Sequence, residues 1–223
     1  MSIPQPIGHA LAEPGALRLK HDHFGSISRV GEGSNCRIRR NTDDAVFGLR
    51  WVARWVAGRE ARALRALAGI DGLPQLLRLD RHGLERSYIG GQPMQEAKPR
   101  DLAYYRAARK LVLALHRRGV AHNDLAKEPN WLVRDDGTPA VIDFQIAWFS
   151  PRRSRFFRLL AHEDLRHLLK HKRHYSPNSL TPTERRVLAR RSWLARTWKA
   201  TGKRIYNFVT RRIFNYRDNE GRG

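Results

Sequence analysis

"GVAHNDLAKEPNWLVRDDGTPAVIDFQIAW", residues 119–148, sets a His-x-Asp, an Asn and an Ile-Asp-Phe within one short stretch. Asp124 and Asn130 flank a loop at the end of a long helical segment. Asp143 follows the return strand of a hairpin, "NWLV–RDDGTP–AVIDF", turned at Asp135–Gly137. That order lets three oxygen-bearing side chains meet at one end of the hairpin. Carboxylate and amide oxygens suit a hard cation such as magnesium, which is usually held by few protein groups together with substrate phosphates. A carboxylate beside an arriving hydroxyl can orient it and take its proton. Singly, Asp124 and Asp143 read equally well as a helix-cap acid and a turn acid; as a set they point to phosphoryl chemistry.

Upstream, "DLAYYRAARKLVLALHRRG" opens at Asp101, carries Leu102, Tyr105, Ala108, Leu111 and Leu115 on one stripe and closes at Gly119. Before it, "GLPQLLRLD" and "ERSYIGGQPM" read as strands leading to Gly90–Gly91, the best lobe boundary. "REARALRALAG" has Ala61, Leu64 and Leu67 at helical spacing. "SISRVGEGSNCRIRR" reads as a hairpin turned at Gly31 and Gly33, with a second turn at Asn41–Asp44, and "AVFGLRWVARW" as a third strand. Downstream, "HEDLRHLLKHKRHY" is an amphipathic helix. "TPTERRVLARR" opens on Thr181 as N-cap, with Pro182 at the first helical position and Glu184 completing a capping box.

The expected class is α+β. Residues 1–25 form a poorly ordered lead-in, 26–90 a β-rich N-terminal lobe, 91–180 a reduced helical lobe carrying the hairpin, and 181–223 a basic helical tail. At 223 residues the chain can bury a sizeable core. No apolar run approaches the roughly 18–20 residues needed to span a bilayer, and the N-terminus does not read as a signal peptide. The single cysteine, Cys36, excludes an internal disulfide and fits a reducing compartment. The formal charge of +22 is uneven: residues 151–223 hold 20 Lys/Arg against 5 Asp/Glu. Such a field favours anionic partners: nucleic acid, anionic lipid, a phosphorylated glycan or an acidic protein.

Several motifs together resemble the protein-kinase-like superfamily. "HNDLAKEPN" is similar to the catalytic loop H-R-D-L-x-x-x-N, "VIDFQ" to the metal-binding D-F-G, "GEGSNC" to the Gly-rich loop, and "REARAL" to the helix whose Glu pairs with the ATP-binding lysine. The match covers roughly residues 27–175. It is most similar to small atypical bacterial types, the RIO-like kinases and the lipopolysaccharide-core sugar kinases, which also have a minimal C-terminal lobe. The resemblance implies a two-lobed fold using ATP and Mg2+. Asp124 would be the catalytic base, Asn130 and Asp143 the magnesium ligands, and Gly31, Gly33 and Ser34 the phosphate-covering turn. Glu60 would organise the ATP-site cation, and His122 would hold the loop in shape. The acceptor would be a protein Ser/Thr or a sugar hydroxyl of a lipopolysaccharide-like glycolipid. The setting would be cytoplasmic, with contact at the inner face of the membrane through the basic tail as an option.

Three departures stand out. Asn130 lies six residues after Asp124, where the pattern has five; Gln145 replaces the glycine of D-F-G; and residues 27–97 contain no lysine. The cation expected opposite Glu60 is therefore Arg50, with Arg54 second, and Lys127 is a compensating charge near the γ-phosphate. Two other readings remain open. One is a pseudokinase, a nucleotide-binding scaffold without turnover. The other is an RNA- or ribosome-associated protein docking through its tail, where Tyr206, Phe208, Phe214 and Tyr216 interleave with Lys203, Arg204, Arg211 and Arg212.

Other features read more plainly. His162, His167, His171 and His174 suit a solvated basic face better than a zinc site. Cys36 reads as a small buried residue without chemistry. Trp51, Trp55, Trp131 and Trp148 read as core.

Overall fold

The computed structural model describes residues 16–189 except Phe24 and Phe47, and the side chains of Lys20, Asp22 and Ser34 also lie outside the described set. The aromatic–basic residues at 203–216 fall beyond it. In chain order the elements are β1 (Leu17–Asp22), β2 (Gly25–Val30), β3 (Arg37–Asn41), α1 (Arg50–Ala66), β4 (Leu76–Asp80) and β5 (Gly83–Ser87). There follow β6 (Gln92–Pro93), α2 (Met94–Ala97), α3 (Leu102–Arg117), β7 (Val120–Ala121), β8 (Trp131–Val133), β9 (Pro139–Val141), β10 (Trp148–Phe149), α4 (Arg155–Tyr175) and α5 (Pro182–Ala189).

The first five strands make one antiparallel sheet in the order β1-β2-β3-β5-β4. Two expectations change here. "AVFGLRWVARW" is not a third strand: after Gly48, at φ +88, the chain turns into α1. Trp and Val dominate its β-propensity, but Ala53, Ala57, Glu60, Ala61 and Leu64 form a buried stripe at helical spacing. Period decides over propensity. The missing strand is β1, which lies inside the stretch read as a lead-in. Its apolar residues Leu17 and Leu19 are both exposed, so their alternation marked no core face.

The second half follows the sequence closely. Asp101 caps α3 by accepting the Ala103 N–H at 2.8 Å. Tyr105, Ala108, Leu111 and Leu115 are all buried. Gly119 ends the helix at φ +75, where a Cβ would stand 2.7 Å from the Ser150 carbonyl oxygen. β8 and β9 pair as the expected hairpin, with Trp131 opposite Val141. Leu64 of α1 and Leu67 at its C-terminal cap share one core with Leu111, Val112 and Leu115 of α3, Trp131, and Phe144 beside Asp143. The sheet-bearing half and the helical half are thereby joined behind the loop. Trp131 is buried as expected, but Trp51, Trp55 and Trp148 are exposed and so are not core.

The described residues up to Leu180 form one compact unit, and those from Thr181 belong to a second. In the latter the capping box closes: the Thr181 N–H donates to Glu184 Oε2 at 2.8 Å, and the Glu184 N–H to Thr181 Oγ1 at 3.2 Å. Among the described residues no helix is long and apolar enough to cross a membrane.

Candidate active site

The loop after β7 is fixed from below by a carboxylate that the motifs do not include. Asp164 of α4 is 1% exposed. It accepts the His122 N–H at 2.8 Å and the Asn123 N–H at 2.9 Å, and lies 3.1 Å from His116 Nε2. Asn123 adopts φ +66, so both amides turn toward the same carboxylate. In "HEDLRH" this Asp sits among charged neighbours and reads as surface. The available signal was its place on the apolar stripe of Phe157, Leu160 and Leu168, all buried.

His122 is buried against Phe144, ring centroids 4.6 Å apart. Its Nε2 lies 2.9 Å from the Ile142 carbonyl oxygen, and its Nδ1 faces the Asp124 N–H at 3.3 Å. A neutral ring, donating through Nε2 and accepting through Nδ1, satisfies both contacts. Burial holds its pKa below the usual histidine value. The ring therefore joins the Asp124 loop to the strand leading into Asp143.

Asp124 Oδ2 meets Lys127 Nζ at 2.8 Å and accepts from Asn130 Nδ2 at 3.1 Å. The same Asn130 nitrogen donates to the Asp124 carbonyl oxygen at 3.0 Å. With its nitrogen turned to Asp124, the Asn130 amide oxygen is left facing away. The Ile142 N–H donates to the Asn130 carbonyl oxygen at 3.0 Å, which places Asp143 beside this pair. Asp143 has φ +69, and its Oδ1 is buried with no hydrogen-bond partner. An orphaned buried carboxylate oxygen is costly unless a ligand completes it. Among the described residues no three His, Cys, Asp or Glu side chains gather as a metal site of their own. The Asp143 carboxylate and the Asn130 amide oxygen fit magnesium, which leaves most of its octahedron to phosphate and water.

The cation opposite Glu60 is not Arg50. Glu60 is fully buried on α1, with Arg86 Nε of β5 at 3.1 Å and Arg40 Nε of β3 at 3.7 Å. Arg50 is the exposed first residue of the same helix. Ten residues at about 1.5 Å each put it roughly 15 Å along the axis from Glu60, too far to pair. Gly31 and Gly33 form the β2–β3 turn at φ +81 and +56. That turn is tied to the end of β5 by the Tyr88 N–H on the Cys36 carbonyl oxygen, 3.1 Å, and by the Arg29 guanidinium over the Tyr88 ring, 4.5 Å. Cys36 is buried as expected, with its Sγ 3.0 Å from Arg29 Nε.

The histidines of α4 do not share one solvated face. His171 is buried and its Nε2 lies 2.8 Å from the Leu125 carbonyl oxygen, under the loop. Burial pushes its pKa down and takes His167 down to about 4. A folded-state pKa below the unfolded value means that the unfolded chain binds more protons between the two, so stability rises with pH there. Stability should be complete above about pH 6.5, the ordinary histidine value. It should fall as pH drops from there toward about 4. Urea midpoints across this window test it: His167→Gln should flatten the decline, and an unchanged slope would contradict it.

No protein-family model matches the sequence, and no curated protein sequence matches it. Solved structures do. The crystal structure of the Rio2 kinase from Chaetomium thermophilum is similar at TM-score 0.56 and 18% identity, over 75% of this chain and 60% of that one. The crystal structure of its Rio2 kinase–ADP/Mg2+–phosphoaspartate complex is similar at TM-score 0.58 and 18% identity, over 84% and 66%. The fold is protein-kinase-like, with a β-rich N-terminal lobe and a reduced helical C-terminal lobe. The chain spans about three fifths to two thirds of the length of those structures.

Proposed function

We propose that the chain is an ATP- and Mg2+-dependent phosphotransferase with an alcohol group as acceptor. The observation that carries this reading is the orphaned Asp143 Oδ1, buried beside the Asp124–Asn130 pair. Asp143 and the Asn130 amide oxygen would hold the cation. Bound there, magnesium would offset phosphate charge and align the transferring group. Asp124 would accept the acceptor's hydroxyl proton, its carboxylate oriented by Asn130 and Lys127 at 3.1 and 2.8 Å. Lys127, largely exposed at the loop's edge, would swing its ammonium between Asp124 and the γ-phosphate.

Arg40 takes the part first given to Arg50: its side chain is buried, faces Glu60 and lies on the strand next to β2. The phosphate-covering turn is then better sought at β1–β2 than at Gly31–Gly33. Gly25 closes that turn at φ +115, and Ser26 beside it pairs with Asn41, one residue from Arg40. The acceptor is a protein Ser/Thr or a glycolipid sugar hydroxyl, by resemblance to the RIO-like and lipopolysaccharide-core kinases. The excess of basic charge suits an anionic acceptor of either kind.

A second reading, a nucleotide-binding scaffold without turnover, draws on Glu60 and its neighbours Arg40 and Arg86. Neither oxygen of Glu60 is in hydrogen-bond geometry with its arginines, and a guanidinium fork does not reproduce a lysine's point charge. The docking of RNA through the tail rests on residues outside the described set. Measuring ADP formation separates the first two. Arg40→Ala should lower kcat/KM about 10²-fold, the scale of one lost charge stabiliser, while Arg50→Ala leaves it unchanged with both proteins melting cooperatively. Equal losses in both variants would contradict the assignment, and binding without ADP formation would support the scaffold.

A further inference from the structure

The exposed side of α1 continues across β10 onto the start of α4 as one aromatic surface. Trp55 and Trp148 are joined by Arg59, whose guanidinium lies 4.8 Å from one ring centroid and 5.9 Å from the other. Trp148 meets Phe156 edge to face at 5.0 Å. Trp51, one turn before Trp55, is 72% exposed, and Leu159 extends the surface along α4. Trp51, Trp55, Trp148, Phe156 and Leu159 are five of the twelve large hydrophobic side chains exposed among the described residues. Isolated exposed apolar residues need no account, but a contiguous patch of them does.

Its rim is basic. The segment 151–158, "PRRSRFFR", has four arginines and no acid, and α1 has five arginines with one acid, the buried Glu60. Arg59 also binds inward, donating to the Ala147 carbonyl oxygen at 3.1 Å, so the aromatic row is fastened to the segment after Asp143.

We propose that this face is a peripheral docking surface for an anionic lipid bilayer. Tryptophan favours the headgroup boundary, phenylalanine and leucine the acyl edge below it, and arginine forks bind lipid phosphates. Juxtaposed basic residues add attraction to anionic leaflets. Single-stranded nucleic acid fits less well. Base stacking needs open ring faces, whereas Arg59 covers Trp55 and Trp148, Phe156 meets Trp148 edge-on, and Leu159 offers no stacking plane. The inference stands on this surface and does not depend on phosphotransfer.

The full chain is tested by flotation with vesicles of phosphatidylglycerol and phosphatidylethanolamine, and with phosphatidylcholine alone. Wild type should float with the anionic vesicles and remain partly bound at roughly 1 M salt, where the screening length is about 3 Å. A Trp51→Ala/Trp55→Ala/Phe156→Ala variant should lose about tenfold or more in partitioning at that salt, with an unchanged melting curve because all three side chains are exposed. Arg152→Glu/Arg153→Glu should weaken binding at low salt. Three results would overturn the proposal: the triple variant partitioning like wild type, salt releasing wild type completely, or the triple variant losing an oligouridylate while keeping the vesicles.

Discussion

Asp143→Asn should lower phosphotransfer about 10³-fold while leaving the protein at least as stable as before. The argument is local. Asp143 holds φ +69, a left-handed conformation that asparagine adopts as readily as aspartate, so the backbone should not move. Its Oδ1 is buried without a hydrogen-bond partner, so the carboxylate contributes a cost to the unliganded fold. Asparagine keeps the shape and removes the charge, and the melting temperature without nucleotide should stay equal or rise. Activity should respond in the opposite sense. Charge stabilisation by a catalytic cation is worth several kcal/mol, and each ~1.4 kcal/mol is a factor of ten in rate. Turnover should therefore fall about 10³-fold, with the residual rate less sensitive to magnesium concentration. Wild-type turnover in Asp143→Asn would remove this residue from the mechanism.

The second large effect is expected far from the reacting groups. Asp164→Ala removes one buried carboxylate that serves the amides of His122 and Asn123 and the ring of His116. Each unsatisfied buried donor costs about 1–3 kcal/mol, so with three donors left unpaired the variant should lose roughly 3–9 kcal/mol of stability. For a protein stabilised by about 5–15 kcal/mol, that is enough to unfold a sizeable fraction near its working temperature. Asp164→Asn distinguishes positioning from bulk stability, because one end of its amide can accept while the NH2 end confronts an N–H donor. It should remain folded, lose part of the stability and lower kcat with little change in the KM for ATP. Urea titration with steady-state kinetics checks both. An Asp164→Ala protein as stable as wild type would contradict the anchoring role.

How far the sequence could be read follows from how each feature is encoded. Asp124, Asn130 and Asp143 were legible because they lie on one contiguous loop and hairpin, where spacing is geometry. α3 was legible because its stripe and its Asp101 cap are local. Arg40 was not, because its partner Glu60 is twenty residues away and the pairing depends on which segment forms the third strand. Reading "AVFGLRWVARW" by its Trp and Val content put a strand where a small-residue alanine stripe makes a helix, and carried the cation to Arg50 with it. Asp164 was hidden among charged neighbours, although its position on an apolar stripe was readable. Residue type alone puts the exposed tryptophans in the core. Only the packing of α1 against the sheet and of β10 against α1 shows that Trp51, Trp55 and Trp148 are left over.

The most direct test of the central claim is ADP formation by purified wild-type protein from ATP, with magnesium and with a chelator, beside Asp124→Asn and Asp143→Asn. The account predicts turnover that requires magnesium in the wild type and is lost in both variants, each melting as a folded protein. Equal ADP formation in all three, or nucleotide binding by the wild type with no turnover under any condition, would contradict it.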